Sequence, residues 1–368
     1  MPRHKSSPSH TPSHTPSREG TPTKPTESRR SFLKMAAVAG IGGRALLRTR
    51  DAGAAVYAAK AASGQPTEWP NLGRRRLGRT GYEGSRLVFG CGAALSRGRK
   101  DDLLDAAFDA GINVFDVGTR RYYRDAEMNL APFLKKRRDQ IFLISKAMTY
   151  LDVDPNAEIT GAQGQQAAAT WTELLNQSLR ELEVESVDAY YVMGANNPSI
   201  LESQEMQAAF AKAKQAGKTK YIGLSTHQNA QKVLEAAMRS GAYDLAQIAI
   251  TPSGWYDWAD KNILPGSKTM AEIQPFLETV RASGIGLIGM KAGRYLAGRK
   301  FLGWGKPDAF DVHYTPEVLQ SDLSAFQRSY AYVLAHGLDA VNADMQVFAH
   351  LEENVAAAAQ SETLFAVG

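Results

Sequence analysis

Thiols are almost missing from this chain: Cys91 is the only cysteine among 368 residues. That excludes an internal disulfide and any zinc or iron–sulfur centre built on several thiolates, since each needs two to four sulfurs in one place. Stability is therefore expected from an apolar core. Also missing is any uncharged apolar run of about 18 residues, which argues against a conventional membrane-spanning helix. No Gly-x-Gly-x-x-Gly follows an apolar run, so a Rossmann-type dinucleotide site has no support. What is present, 43% hydrophobic and 22% charged residues, is the balance of an ordinary globular chain with one large domain or two small ones.

The net charge of +5 is unevenly placed. Residues 1–61 hold eleven Lys and Arg against three acids, a net of +8, so the remainder carries −3. A slightly acidic body has no general attraction for a phosphate backbone, and nucleic acid is not an expected partner. Sixteen of residues 1–27 are Ser, Thr or Pro, with no aromatic and no aliphatic beyond Met1. Such a segment cannot bury enough apolar surface to offset its ordering entropy and is expected to be a disordered leader.

Directly after it come Ser28, Arg29, Arg30, Ser31, Phe32, Leu33 and Lys34, then the weakly apolar run Met35–Leu47 interrupted by Arg44. Residues 28–62 resemble a twin-arginine export signal. The resemblance implies passage through the twin-arginine translocation machinery, cleavage among the alanines Ala59–Ala62 or retention as an anchor, membrane contact only through this segment, and a final place in the periplasm or anchored outside the cytoplasm. A basic flexible arm is the alternative reading.

From Leu72 onward, short β-branched or aromatic runs alternate with helical patterns. Eight runs stand out: Leu87–Gly90, Asn113–Asp116, Ile141–Lys146, Ala189–Met193, Tyr221–Ser225, Leu245–Ile250, Ile285–Met290 and Ala340–Met345. Their starts recur about every 36 residues, the length of a strand, a helix and two loops. Amphipathic candidates lie between them, among them Asp101–Ala110, Trp171–Leu182, Met206–Ala216, Asn229–Ser240 and Ala271–Ala282, and Gly111, Gly217, Gly241 and Gly284 sit where helices should end. Eight units over residues 72–360 predict an α/β fold, a closed (β/α)8 TIM barrel, with an open doubly wound sheet as the alternative. Residues 74–87, with Gly78, Gly81 and Gly84 among charges, are expected to form a β-hairpin cap on the barrel bottom.

In such a barrel the chemistry belongs at the C-terminal strand ends. Asp116, Lys146 and Ser225 end expected strands there, and Gln247 lies within the sixth. A lysine beside a tyrosine stabilises phenolate and lowers a phenol pKa of about 10, while a carboxylate holds the lysine in place.

The segments Arg75–Gly81 (RRLGRTG), Ser85–Gly90 (SRLVFG), Asp109–Asp116 (DAGINVFD), Phe142–Lys146 (FLISK), Ser178–Val192 (SLRELEVESVDAYYV), Gly217–Ser225 (GKTKYIGLS) and Leu351–Asn354 (LEEN) occur in that order. Together they resemble the aldo/keto reductase family, NAD(P)H-dependent reductases of aldehydes and ketones. The resemblance implies a tetrad of Asp, Tyr, Lys and His, of which Asp116 and Lys146 are the first and third. Arg121 occupies the usual tyrosine position. Glu127 matches the family glutamate four residues beyond the tyrosine and selects Tyr123 over Tyr122. Met193 stands in place of the histidine, and a thioether neither donates a hydrogen bond nor passes a proton. His227 is a second imidazole near the same mouth, or a loop histidine.

The resemblance further implies that Ser225 and Gln247 contact the nicotinamide amide, that Met290 and Lys291 stand by the cofactor where the family has a stacking tyrosine, and that Glu353 and Asn354 meet the adenosine. Asp344 stands at a glycine position of the phosphate loop, which contains no arginine, so NADP or NAD both remain open. Arg120 and Arg121 suit an anionic substrate or are solvated. Tyr190 and Tyr191 are expected on opposite faces of one strand, and Trp255, Trp258 and Trp304 are expected as aromatic pocket walls. Two readings stand: an exported reductase of a small-molecule carbonyl compound with a tyrosine proton donor, or a catalytically silent barrel that binds.

Overall fold

The computed structural model describes residues 68–297 and 305–365. The expected leader 1–27, the signal segment 28–62 with Arg29 and Arg30, and Trp304 lie outside the described residues. Eight parallel strands close into a barrel: β3 (Leu87–Gly90), β4 (Val114–Asp116), β5 (Phe142–Met148), β6 (Val187–Met193), β7 (Thr219–Thr226), β8 (Leu245–Thr251), β11 (Gly286–Met290) and β12 (Ala340–Ala343). Neighbours in sequence are neighbours in space, and β12 pairs back onto β3 with Val341 opposite Leu87. The expected TIM barrel is therefore present, and the open sheet is excluded.

The fold is built by the alternation of small and large inward side chains. Val88, Val114, Phe142, Ile144, Ala189, Tyr191, Leu245, Ile288 and Ala340 fill the cylinder. The outward residues pack beneath the helices, where Tyr190 meets Trp171 with ring centroids 5.2 Å apart. Tyr190 and Tyr191 thus face opposite sides, as strand alternation requires.

The hairpin of β1 (Arg74–Arg76) and β2 (Glu83–Ser85) closes the lower end. Its turn drives Leu77, fully buried, into the interior cluster. Gly78 follows at φ +51°, and a Cβ there would stand 2.2 Å from the backbone nitrogen of Gly286, so only glycine fits. Also at this end, Asp188, Asp244 and Asp339 each accept a backbone N–H from a neighbouring strand, at Leu143, Ile222 and Leu287. These carboxylates staple the base of the barrel and leave the opposite rim for chemistry.

The helices begin and end by local chemistry. Thr160 with Gln163, Thr269 with Glu272 and Ser324 with Gln327 form reciprocal caps. Gly111, Gly217, Gly241 and Gly284 all carry positive φ, the left-handed conformation that turns a helix end toward the next strand. The last helix, Phe348–Leu364, runs past the expected boundary at residue 360. Beyond β8 the chain forms an unexpected antiparallel extension, β9 (Gly254–Asp257) and β10 (Asn262–Ile263). Among the described residues no helix is long and apolar enough to cross a membrane.

Candidate active site

The C-terminal strand ends surround a cavity of about 550 Å³. Asp116, Tyr123, Lys146, Met193, Ser225, Gln247, Met290 and Lys291 all line it. A larger hollow, about 810 Å³, lies between the helices Gly161–Glu181 and Gln204–Gln215 and holds none of the expected site residues. Among the described residues no group of three or more His, Cys, Asp or Glu side chains is arranged to hold a metal.

At its base lies a buried ion pair. Asp116 ends β4, and Lys146 lies two residues before the end of β5. The lysine Nζ donates to Asp116 Oδ1 at 2.5 Å, to Oδ2 at 2.6 Å and to the Val117 carbonyl at 2.7 Å. An ammonium has three protons, and all three are engaged. A third strand joins in: Asn342 of β12 donates its Nδ2–H to Asp116 Oδ2 at 2.5 Å. The reading from sequence missed Asn342, although a polar side chain inside the run Ala340–Met345 was a signal for it.

Tyr123 ends the short helix Arg120–Tyr123, whose turn is closed by its backbone N–H donating to the Thr119 carbonyl at 3.0 Å. Its ring lies between two glycines. A Cβ on Gly92 would come within 2.5 Å of it, and one on Gly118 within 3.0 Å. Tyr122 is 45% exposed and does not line the cavity, so Tyr123 is the tyrosine at the site. The Lys146 Nζ is 5.4 Å from the Tyr123 ring centroid.

One expectation is corrected: the phenol is not lowered by Lys146. Burial, then the Asp116 carboxylate, then Tyr122 push Tyr123 well above the ordinary tyrosine value. The lysine charge is spent on Asp116. Behind the pair, Glu127 is fully buried and accepts the Ser145 Oγ–H at 2.6 Å. Burial pushes its carboxyl up to about 7.

Met193 ends β6 with its side chain buried, directly opposite Ser225 in register. His227, two residues beyond Ser225, also lines the cavity. Asn196 fixes its loop by accepting the His227 backbone N–H at 3.0 Å and the Gln228 N–H at 3.2 Å. Burial, then Lys291 and Lys146, drive the imidazole down to about 3, so it is neutral near pH 7. Ser225 and Gln247 are opposite each other across β7 and β8 and are both buried. Their Ser225 Oγ and Gln247 Oε1 have no hydrogen-bond partner among the described residues.

At the rim, the Lys291 Nζ stands 4.2 Å above the Trp258 ring centroid, and the Arg294 guanidinium carbon is 6.0 Å from it. Of the expected aromatic walls among the described residues, Trp258 lines the cavity. Trp255 is corrected: β9 pairs it with Ile250 and buries it in the outer core. Asp344 lines the rim, its carboxylate held by the Gln346 amide at 2.9 and 3.0 Å.

Glu353 and Asn354 do not reach the cavity. Glu353 is exposed, and Asn354 is buried with its Nδ2–H given to the Asp344 carbonyl at 3.2 Å, which ties down the loop after β12. Arg121 is stacked on Tyr150, its guanidinium carbon 3.7 Å from the ring centroid, and Arg120 pairs with Asp125 at 3.0 Å. Neither lines the cavity.

A barrel closed at its base, with a buried carboxylate–ammonium pair and a tyrosine at its open rim, defines the class. A sequence model of the aldo/keto reductase family matches residues 84–294, and the chain belongs to that family. It is 27% identical over 215 residues to the L-glyceraldehyde 3-phosphate reductase of Escherichia coli (strain K12), a match covering 53% of this chain and 55% of that protein. The chain thus spans about half the length of the curated relatives it matches. Among solved structures, the holo form of aldo-keto reductase AKR11C1 from Bacillus halodurans superposes with a TM-score of 0.56 at 21% identity, covering 77% of this chain and 90% of that one. An aldo-keto reductase from Klebsiella pneumoniae, solved with NADPH, gives 0.55 at 17% identity over 80% and 95% of the two chains. At these identities the structural likeness speaks for the fold.

Proposed function

We propose that the protein is an oxidoreductase that reduces a small aldehyde or ketone with NADH or NADPH. The observation that carries this is the pair of unsatisfied buried atoms, Ser225 Oγ and Gln247 Oε1, facing the cavity beside Asp116, Lys146 and Tyr123. Buried polar atoms without partners are rare unless a ligand completes them, and a hydroxyl donor beside an amide oxygen acceptor matches the oxygen and NH2 of a carboxamide. The residues therefore fit a nicotinamide. When bound, that ring supplies a hydride to the carbonyl carbon.

The chain's own residues do the rest. Asp116 and Asn342 fix the position of Lys146, whose Nζ stands 5.4 Å from the Tyr123 ring centroid. Tyr123, held protonated by burial, donates its hydroxyl proton to the carbonyl oxygen as negative charge develops there; an alkoxide is more basic than a phenolate, so the transfer runs downhill. Met193 leaves the oxygen without the histidine donor of the family, and the neutral His227 lies on the adjoining strand's loop. Met290, which lines the cavity, would offer its thioether to the nicotinamide ring.

Titration with NADPH and NADH, followed by tryptophan fluorescence, tests the reading, because Trp258 lies at the cavity. Tyr123→Phe is expected to abolish turnover and spare nucleotide binding. Absence of quenching with both nucleotides removes the hydride source and leaves a second reading, a barrel that binds without turnover, which Met193 favours. The leader supports export by the twin-arginine machinery to the periplasm or to a membrane anchor outside the cytoplasm. Replacing Arg29 and Arg30 by Lys is expected to stop export, and continued export rejects that assignment.

A further inference from the structure

The cavity contains a second lysine that the reduction does not use. Lys291 follows the last residue of β11 in the left-handed region, at φ +66°, a conformation that costs a side-chain-bearing residue energy and persists where the surroundings impose it. Lys291 is half-buried at the cavity wall, and its ammonium end makes no hydrogen bond and no ion pair among the described residues. The contrast with Lys146, whose three protons all have acceptors, is direct. What faces Lys291 is the Trp258 ring at 4.2 Å, the His227 imidazole, and the cations Lys146 and Arg294, with Asp344 at the rim and Asp116 at the base as the opposing carboxylates.

We propose that Lys291 is a nucleophilic amine that captures small aldehydes as imines. Its neutral Nζ adds to the carbonyl carbon, the two amine hydrogens leave with the carbonyl oxygen as water, and a C=N double bond remains. No electrons are exchanged. The inference rests on the carbonyl reading only for the class of ligand, since capture needs no nicotinamide.

The electrostatics favour the chemistry. Loss of solvation, against the pull of Asp344 and Asp116 and with Lys146 and Arg294 adding to it, pushes the amine down to about 8. At pH 7.5 about a quarter of such amines are neutral, against about one in a thousand for a free lysine near 10.5, an advantage of roughly 240-fold. Trp258 favours the charged form through its ring face, and the enclosure outweighs it.

The test uses the full chain without nucleotide, glycolaldehyde as the probe and cyanoborohydride to fix the imine, with peptide mapping by mass spectrometry. One adduct per chain is expected, on Lys291, forming on the order of 100-fold faster than on any exposed lysine. Lys291→Met is expected to lose it while keeping the circular dichroism of the parent. On the unaltered protein, labelling at Lys291 should rise with pH and level off above about 8 to 9, while surface lysines continue to rise. Equal labelling of many surface lysines, or an unmodified Lys291, overturns the proposal. A protein that oxidises NADPH with a carbonyl substrate but takes no adduct at Lys291 defeats this inference and leaves the reductase reading intact. An adduct at Lys291 in a protein that binds no nucleotide does the reverse.

Discussion

Glu127→Gln is expected to make the barrel more stable at alkaline pH and to leave its acid stability nearly unchanged relative to the parent. Glu127 is fully buried, and its carboxyl titrates near about 7 in the folded protein against 4.5 for a free glutamate. Between those values the folded state holds a proton that the unfolded chain has released. Unfolding free energy contributed by this group is therefore fully present below pH 4.5, falls as pH rises toward 7, and is flat above. At about 1.36 kcal/mol for each pH unit the whole loss is about 3.4 kcal/mol. Glutamine cannot ionise, so the variant lacks this slope.

Any fixed cost of the substitution, such as a poorer bond from Ser145, is the same at every pH and cancels in the difference between pH 4 and pH 8. For a barrel of about 300 residues, with an unfolding entropy of about 0.6 kcal/mol/K, the gain at pH 8 corresponds to a rise in Tm of about 5 °C. Urea denaturation or calorimetry of both proteins across that range measures it. A stability difference between the two proteins that stays constant with pH refutes the reasoning, because Glu127 would then ionise alike in both states.

Three further outcomes are expected. Lys146→Met strands Asp116 with Asn342 as its remaining side-chain partner in a site where both charges are under 6% exposed, which should cost about 3–5 kcal/mol, most of it recovered when Asp116→Asn is added. Gly78→Ala places a methyl 2.2 Å from the Gly286 nitrogen and 2.5 Å from the Gly284 oxygen at φ +51°; denaturation should show a loss above about 3 kcal/mol. Ser225→Ala and Gln247→Leu should each weaken nucleotide binding about tenfold by fluorescence titration, with Tm shifted by no more than about 1–2 °C.

The barrel strands were legible because each is a short apolar run between turn-forming residues. Their observed limits differ from the expected ones by only a few residues: β6 begins at Val187 rather than Ala189, and β5 runs on to Met148 beyond Lys146. Asp116, Lys146, Ser225 and Gln247 were legible for the same reason, as polar residues in otherwise apolar runs. The helix expected at Trp171 in fact starts at Gly161, since the Ala- and Gln-rich first turns have little amphipathic pattern and the start is set by the Thr160 cap. The β9–β10 extension was hidden because two short strands pair across a loop, and that pairing buries Trp255 while leaving Trp258 at the rim. The pairing of Lys146 with Asp116 was expected from residue type, whereas its third acceptor, the Val117 carbonyl, depends on distances that no spacing encodes.

Leu77 and the tight backbone at Gly78 plug the lower end of the barrel, while the cavity lies at the strand C-termini. Ser225 and Gln247, 1% and 3% exposed, lie toward its floor, whereas Phe326, 37% exposed, stands at its lip. If the proposed reduction holds, two guests share that opening and must queue: the one that settles on the floor enters first and departs last, and excess of the upper one is expected to slow turnover.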